Sequence, residues 1–216
     1  MPIARFSLLV SLAILAGCSS GLSAVSQTVQ EAYGLSSDVN PTLDPRFQYL
    51  RVTVRGRPAF LALGNEERTA GGPVKVWYSA KKEVLEFQNG RLVGASGLTT
   101  EWRKVSLIGL PSWRTVSATP GAVEWTRKRD VMPGYRYGVE DRLTLRRIET
   151  PRSTRLKSLD PGQLTWFEER MVSTDADLLP PAIYGVDMRD GRDEVVYGEQ
   201  CLSPDLCFTW QKWPAK

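Results

Sequence analysis

The stretch EVLEFQNGRLV, residues 83–93, places Asn89-Gly90 between two runs in which apolar and polar residues alternate. Alternation with a period of two is typical of a β-strand that buries one face. Asn-Gly supplies the two positive-φ positions of a type I′ turn, which joins antiparallel strands through only two residues. The stretch therefore predicts a β-hairpin.

Similar strand patterns extend outward from this hairpin in both directions. Residues 49–54 and 59–63 flank a turn and predict a second hairpin. Further strands are predicted at residues 74–78, 123–129, 135–148, 163–172, 183–188, 194–197 and 208–213. Residues 99–120 are predicted to be irregular. So many short strands predict one all-β, predominantly antiparallel domain over residues 47–216, built as a sandwich or an open barrel.

The N-terminus has the parts of a secretory signal. Arg5 precedes an apolar run over residues 6–15, which is too short to span a bilayer. The run ends in Leu15-Ala-Gly-Cys18, which resembles a bacterial lipobox, where the cysteine is acylated and the chain is cut before it. This predicts a signal peptide over residues 1–17 and a lipidated Cys18, with an ordinary signal and an unrelated cysteine as the alternative.

A lipidated Cys18 would anchor the protein without spanning the membrane. Two or three acyl chains, at roughly 0.8 kcal/mol per buried CH₂, bind a membrane almost permanently. Residues 18–46 are predicted to be a tether with a short helix at residues 25–32. Ser19 and Ser20 follow the cysteine, where an Asp commonly signals retention in the inner membrane of enterobacteria. By resemblance to that sorting rule, the predicted location is the outer membrane, facing the periplasm.

The chain has three cysteines and no histidine. If Cys18 carries lipid, Cys201 and Cys207 remain in an exported chain and are predicted to form a disulfide, with two free buried thiols as the alternative. The absence of histidine excludes Ser-His-Asp and Cys-His mechanisms and a histidine-bound zinc. No metal site and no cofactor are predicted.

Paired carboxylates are the remaining route to catalysis. Glu168-Glu169 and Glu140-Asp141 are adjacent strand residues, so the members of each pair point to opposite faces and do not converge on one substrate. Asp175 and Asp177 are a further pair, read as solvated turn residues. The sequence therefore predicts no catalytic residue and a protein that is not an enzyme.

Charge divides along the chain. Residues 125–157 hold ten Arg or Lys against four acids, a net of +6, and residues 168–205 hold ten acids against three arginines, a net of −7. One interpretation is a basic face for an anionic polysaccharide, with Arg127, Arg129 and Arg136 as the candidate binding residues. The alternative is that the two segments neutralise each other across neighbouring strands. Nucleic acid is a poor partner for an exported protein.

The seven tryptophans are also candidates for sugar binding. Most are predicted to lie in the core, because one β domain buries aromatic residues readily. Trp102 and Trp113 fall in the stretch predicted to be irregular, so these two are predicted to be surface platforms for polysaccharide.

The sequence contains the segments Leu50-Arg-Val-Thr-Val54, Val76-Trp-Tyr-Ser79, Asn89-Gly-Arg-Leu-Val93, Ser96-Gly-Leu98, Tyr184-Gly-Val-Asp187, Asp190-Gly191 and Gln200. Together these segments resemble the core block of the YjbF/GfcB family of capsule and exopolysaccharide lipoproteins. Gly185 stands where the family usually has an aromatic residue, and the Cys201/Cys207 pair is not part of the pattern.

The resemblance implies an outer-membrane lipoprotein of β structure, without known catalysis. It would act beside a large outer-membrane β-barrel and other export proteins in exopolysaccharide or capsule export. Two alternatives remain: a carrier for a lipid or other apolar ligand, and a carboxylate-dependent polysaccharide-processing enzyme.

The lipobox gives the first testable prediction. Cys18→Ala removes the thiol that accepts lipid, so we expect an uncleaved or soluble exported protein that takes up no radiolabelled palmitate. Incorporation of palmitate into the variant at the wild-type level would contradict the anchoring hypothesis.

Overall fold

The computed structural model describes residues 43–172, 178–191 and 193–215. The predicted signal peptide, Cys18, the helix predicted at residues 25–32 and the pair Asp175 and Asp177 lie outside the described residues. The sheet contains β1 (Tyr49–Val54), β2 (Arg57–Thr69), β3 (Gly72–Tyr78), β4 (Val84–Gln88), β5 (Arg91–Ser96), β6 (Glu101–Ile108), β7 (Ala122–Met132), β8 (Arg136–Ile148), β9 (Thr165–Met171), β10 (Ala182–Asp187), β11 (Glu194–Ser203) and β12 (Leu206–Trp213). The described helices are α1 (Trp113–Ala118) and two 3₁₀ turns, Pro161–Gln163 and Arg189–Gly191.

The twelve strands form one antiparallel barrel that closes on itself. Each strand pairs with its neighbours along the chain, and β1 also pairs with β12, from Tyr49 opposite Trp213 to Val54 opposite Phe208. This closing pair satisfies the backbone groups that an open sheet would leave at its two edges. The all-β, antiparallel prediction is confirmed, and the barrel is closed where the sequence suggested a sandwich or an open barrel.

The β4–β5 turn forms as its sequence predicts. Asn89 has φ of 49° and Gly90 has φ of 78°, as a type I′ turn requires. A Cβ on Gly90 would lie only 2.3 Å from the Val195 side chain of β11. Glycine is therefore needed here both for its backbone conformation and for the close approach of another strand.

The prediction of an irregular stretch over residues 99–120 is wrong. Residues 101–108 form β6, where a register shift between Trp102 and Lys104 leaves Arg103 and Lys104 both exposed and so interrupts the alternation. The helix α1 follows, and the Ser112 hydroxyl caps it by accepting a hydrogen bond from the Thr115 amide at 3.1 Å.

Because consecutive strands run up and down, the loops of the barrel fall at two distinct ends. The chain enters β1 and leaves β12 at the same end, which we call the terminal end and which also carries the β4–β5 turn and α1. The opposite end, called the far end, carries the β7–β8 and β11–β12 turns and the connection after β9. None of the described helices is long and apolar enough to cross a membrane.

An apolar cluster lies on the outer face of the barrel. Trp166 is buried there with Leu164 and Tyr197, while the neighbouring Phe167 faces inward. The connection after β8 covers this face, where the Lys157 amide donates to Gln211 Oε1 at 2.9 Å and Gln211 Nε2 donates to the Lys157 carbonyl at 2.6 Å. Two reciprocal hydrogen bonds thus fasten this long connection to β12.

Cys201 and Cys207 stand directly opposite each other on β11 and β12 and form a disulfide with an S–S distance of 2.03 Å. Their strands are joined by a short turn at the far end, so the bond closes a loop with a sequence separation of six residues. The structure thus contains the pairing that the sequence predicts.

The disulfide gives a stability prediction. In the chain-entropy account, opening so short a loop by Cys201→Ala with Cys207→Ala costs about 2 kcal/mol of unfolding free energy, which urea unfolding measures. Mass spectrometry of the unreduced wild type should find both cysteines protected from alkylation. Alkylation of both would contradict the bond.

Candidate functional site

The barrel interior contains a buried group of charges centred on Asp141. Alternation along β7 turns Arg127 and Arg129 inward, and the register places Asp141 of β8 directly opposite Arg127. The side chains of these three residues are only 9%, 2% and 1% exposed, respectively. The three residues, with Arg91 and Glu169, are called here the interior charge cluster.

Both arginines bind the same carboxylate. Arg129 donates from Nε to Asp141 Oδ2 at 2.7 Å and from NH2 to Oδ1 at 3.0 Å, a bidentate pair. Arg127 donates from Nε to Oδ2 at 2.8 Å. The guanidinium carbons of Arg127 and Arg129 lie 4.6 and 4.9 Å from the Trp102 ring centroid, within range of cation–π attraction.

Glu169 of β9 extends the cluster toward the terminal end. Its Oε1 lies 3.8 Å from Arg127 NH1, and its Oε2 lies 3.9 Å from Arg91 Nε. The Tyr184 hydroxyl lies 3.4 Å from both Glu169 Oε1 and Gln200 Oε1. Within the described chain, Glu169 Oε2, Gln200 Nε2 and the Nε and NH2 of Arg91 have no hydrogen-bond partner.

The helix α1 covers Arg91 through Trp113. The Arg91 guanidinium carbon lies 3.6 Å from the Trp113 ring centroid, and the ring packs against Phe167 and Tyr184 with centroids 5.0 and 5.1 Å away. Trp113 Nε1 donates to the Asn89 carbonyl at 3.2 Å. The tryptophan therefore joins α1 to the β4–β5 turn and closes the terminal end of the interior over Arg91.

Burial acts differently on the two inward carboxylates. Burial alone would raise the pKa of Asp141, but hydrogen bonds and charges from Arg129 and Arg127 outweigh it and hold the pKa below its ordinary value. Burial raises the pKa of Glu169 despite the nearby Arg127 and Arg91 charges. The stabilisation from Asp141 is complete above its unfolded pKa and is lost as pH falls through its folded pKa.

Little space lies beside the cluster among the described residues. A cavity of about 20 Å³ lies against Arg127, Glu169 and Gln200, which is room for roughly one water molecule. Asp141 and Glu169 are both bound by Arg127 instead of flanking a cleft, as two glycosidase carboxylates would. Among the described residues, no cluster of three or more metal-ligating His, Cys, Asp or Glu side chains occurs.

The structure corrects the placement of four of the five candidate polysaccharide-binding residues. Arg127, Arg129, Trp102 and Trp113 are buried inside the barrel, so they do not form an outer surface for polymer. Arg136 is exposed at the start of β8.

The charged segments of the chain do meet as neighbours. The alternative of ion pairing across neighbouring strands is observed between Arg146 of β8 and Glu168 of β9 at 2.8 Å. Arg127 of β7 also lies 3.8 Å from Glu169 of β9, one strand further along the sheet. Sequence reasoning missed Arg91 altogether. Alternation could have identified Asp141, because it places this residue on the opposite face of its strand from Glu140. The same alternation separates Arg127 and Arg129 from Lys128.

A sequence model of the YjbF family, described as group 4 capsule polysaccharide lipoprotein gfcB, matches residues 46–208. The chain belongs to this family. The match runs from just before β1 into β12, so the YjbF region includes the whole interior charge cluster. The chain has no significant match among curated protein sequences.

The fold is also similar to the crystal structure of the hypothetical lipoprotein YmcC from Escherichia coli. The two chains superpose with a TM-score of 0.59 at 19% identity, over 90% of this chain and 93% of that chain. At this identity the likeness shows the fold, which the two lipoproteins share over nearly their whole lengths.

The interior charge cluster gives a third prediction. Asp141→Asn removes the charge that two buried arginines share, so we expect a loss of about 3–5 kcal/mol of unfolding free energy. The matched control is Glu140→Gln, one residue away on the exposed face and paired with Lys128 at 3.2 Å, where a loss below about 1 kcal/mol is expected. Equal losses in urea unfolding would show that the interior pairing carries no special weight.

Proposed function

We propose that this YjbF-family protein is a lipid-anchored accessory factor, without catalytic activity of its own, in the assembly or export of exopolysaccharide or capsule. The observation that carries the proposal is the family match over residues 46–208, since that family is described as a capsule polysaccharide lipoprotein. The lipobox at residues 15–18 supports anchoring through Cys18. The proposed location is the outer membrane, facing the periplasm.

The geometry of the interior supports a non-enzymatic role. The inward carboxylates Asp141 and Glu169 are buried against arginines, and the cavity beside them has a volume of about 20 Å³. The outward Glu168 is held by Arg146 and Arg170 at 2.8 and 2.7 Å. These carboxylates therefore have a structural role as ion-pair partners of arginines.

The proteins with which this lipoprotein is proposed to act are an outer-membrane β-barrel and other export proteins.

The composition of the interior also argues against the alternative function, a carrier for an apolar ligand. Such a carrier needs a large apolar cavity, whereas this barrel encloses charges and large aromatic side chains. A recess of about 680 Å³ at the terminal end is lined by Tyr49, Trp77 and Trp213, but also by Lys212 and Glu194, which form an ion pair. Charged side chains in its wall suit a wet recess better than a lipid site.

A deletion experiment tests the proposed function. In the bacterium that makes this lipoprotein, deleting its gene should lower polysaccharide at the cell surface while intracellular synthesis of the repeating unit continues. The wild-type gene should restore surface polysaccharide, and Cys18→Ala should restore much less because the protein is not held at the membrane. Unchanged surface polysaccharide in the deletion strain would refute the proposed function.

A further inference from the structure

Exposed apolar side chains are concentrated at the far end of the barrel. Seven large hydrophobic side chains of the described residues are exposed, and four of them belong to strand ends or connections at that end. These four are Tyr135, Tyr137, Val172 and Leu178. The described chain enters β1 and leaves β12 at the opposite end, and an exposed apolar patch of this kind is typical of a binding surface.

Tyr135 is the most exposed of these side chains and has a strained backbone. Its side chain and backbone together are 74% exposed, and its φ is 52°, in the left-handed region that a bulky residue rarely adopts. Asparagine or glycine would fit this turn without that strain. A ring that is neither buried nor favoured by its backbone points to a role outside folding.

Tyr135 forms one wall of a groove of about 550 Å³ between the β5–β6 and β7–β8 turns. Met132, Pro133 and Leu98 add apolar surface, and Thr99 adds a hydroxyl. Arg103 and Glu101 also line the groove and bind each other, with 2.6 Å between Arg103 NH2 and Glu101 Oε2. The groove thus combines an exposed ring with a donor and an acceptor whose charges balance.

We infer that this far-end groove binds a sugar segment of the polysaccharide, an inference that rests on the proposed function. A sugar ring has an apolar C–H face that stacks on a tyrosine ring and hydroxyl groups at its edge that donate and accept hydrogen bonds. The Arg103–Glu101 pair offers both kinds of partner at once. Because the pair is neutral overall, recognition relies on stacking and hydrogen bonds instead of net charge, and binding changes little with salt.

Binding measurements on the full-length lipoprotein in detergent micelles test the inference. The probe is exopolysaccharide extracted from the bacterium that makes this protein and partly hydrolysed to fragments. By titration calorimetry, Tyr135→Asn should weaken binding roughly tenfold, while its melting temperature stays equal to or above that of the wild type because the backbone strain is relieved. Tyr135→Gly, which also accepts the positive φ, serves as a second variant should the first fold poorly.

The matched control is Ile108→Thr, which alters an exposed apolar residue at the terminal end and should leave affinity unchanged. No binding by the wild type, or equal binding by folded Tyr135→Asn or Tyr135→Gly, would overturn the inference. A steep fall of affinity between low and high salt would do the same, because it would show that charge dominates. Photo-crosslinks from position 135 to a protein alone would assign the rim to a protein partner instead.

The deletion strain separates this inference from the proposed function. If the wild-type gene restores surface polysaccharide and Tyr135→Asn does not, both stand. If Tyr135→Asn restores it fully, the groove inference fails and the proposed function survives. If the deletion itself has no effect, the proposed function fails.

Discussion

A closed sheet of twelve strands must fill an interior wider than small apolar side chains can occupy. A barrel of about eight strands is just filled by its own inward side chains, and width grows with strand number. This chain fills the extra width with long or wide side chains: Trp102, Trp125 and Trp210, and the arginines at 91, 127 and 129. Arginine fills space well, but inside a barrel its charge requires a carboxylate.

That requirement organises the strands around the cluster. Asp141 of the neighbouring β8 accepts hydrogen bonds from two arginines of β7, and Glu169 of β9 lies between Arg127 and Arg91 of β5. Other polar contacts cross the lumen: the Leu92 amide donates to Gln200 Oε1 at 3.2 Å, and Trp102 Nε1 donates to the Leu202 carbonyl at 3.1 Å. Such contacts join opposite walls of the barrel, so polar side chains cross the lumen as well as line it.

Local sequence signals predicted the elements better than they predicted which face is inside. Asn89-Gly90 specifies its turn within two residues, and alternation correctly separated Arg127 and Arg129 from Lys128. Two arginines on one face of a strand suggest a basic surface when that strand is considered alone. Its sequence does not show that both arginines bind Asp141, which lies twelve to fourteen residues away on the next strand. Closure of the barrel was not predicted because it depends on pairing between β1 and β12, which are far apart in the sequence. The strand β6 was not predicted because the register shift after Trp102 interrupts its alternation.

The same distinction bears on where function lies. The residues that carry the family resemblance are mainly parts of the barrel: Trp77, Tyr184 and Gln200 are buried, and Asn89-Gly90 is packed between Val195 and Trp113. They specify a barrel in which the inward charged side chains bind one another, with three arginines against two carboxylates. Tyr135 at the far end combines the largest exposed fraction among the large hydrophobic side chains with an unfavourable backbone conformation, so the proposed sugar contact is placed on the outside of the barrel and not in its interior.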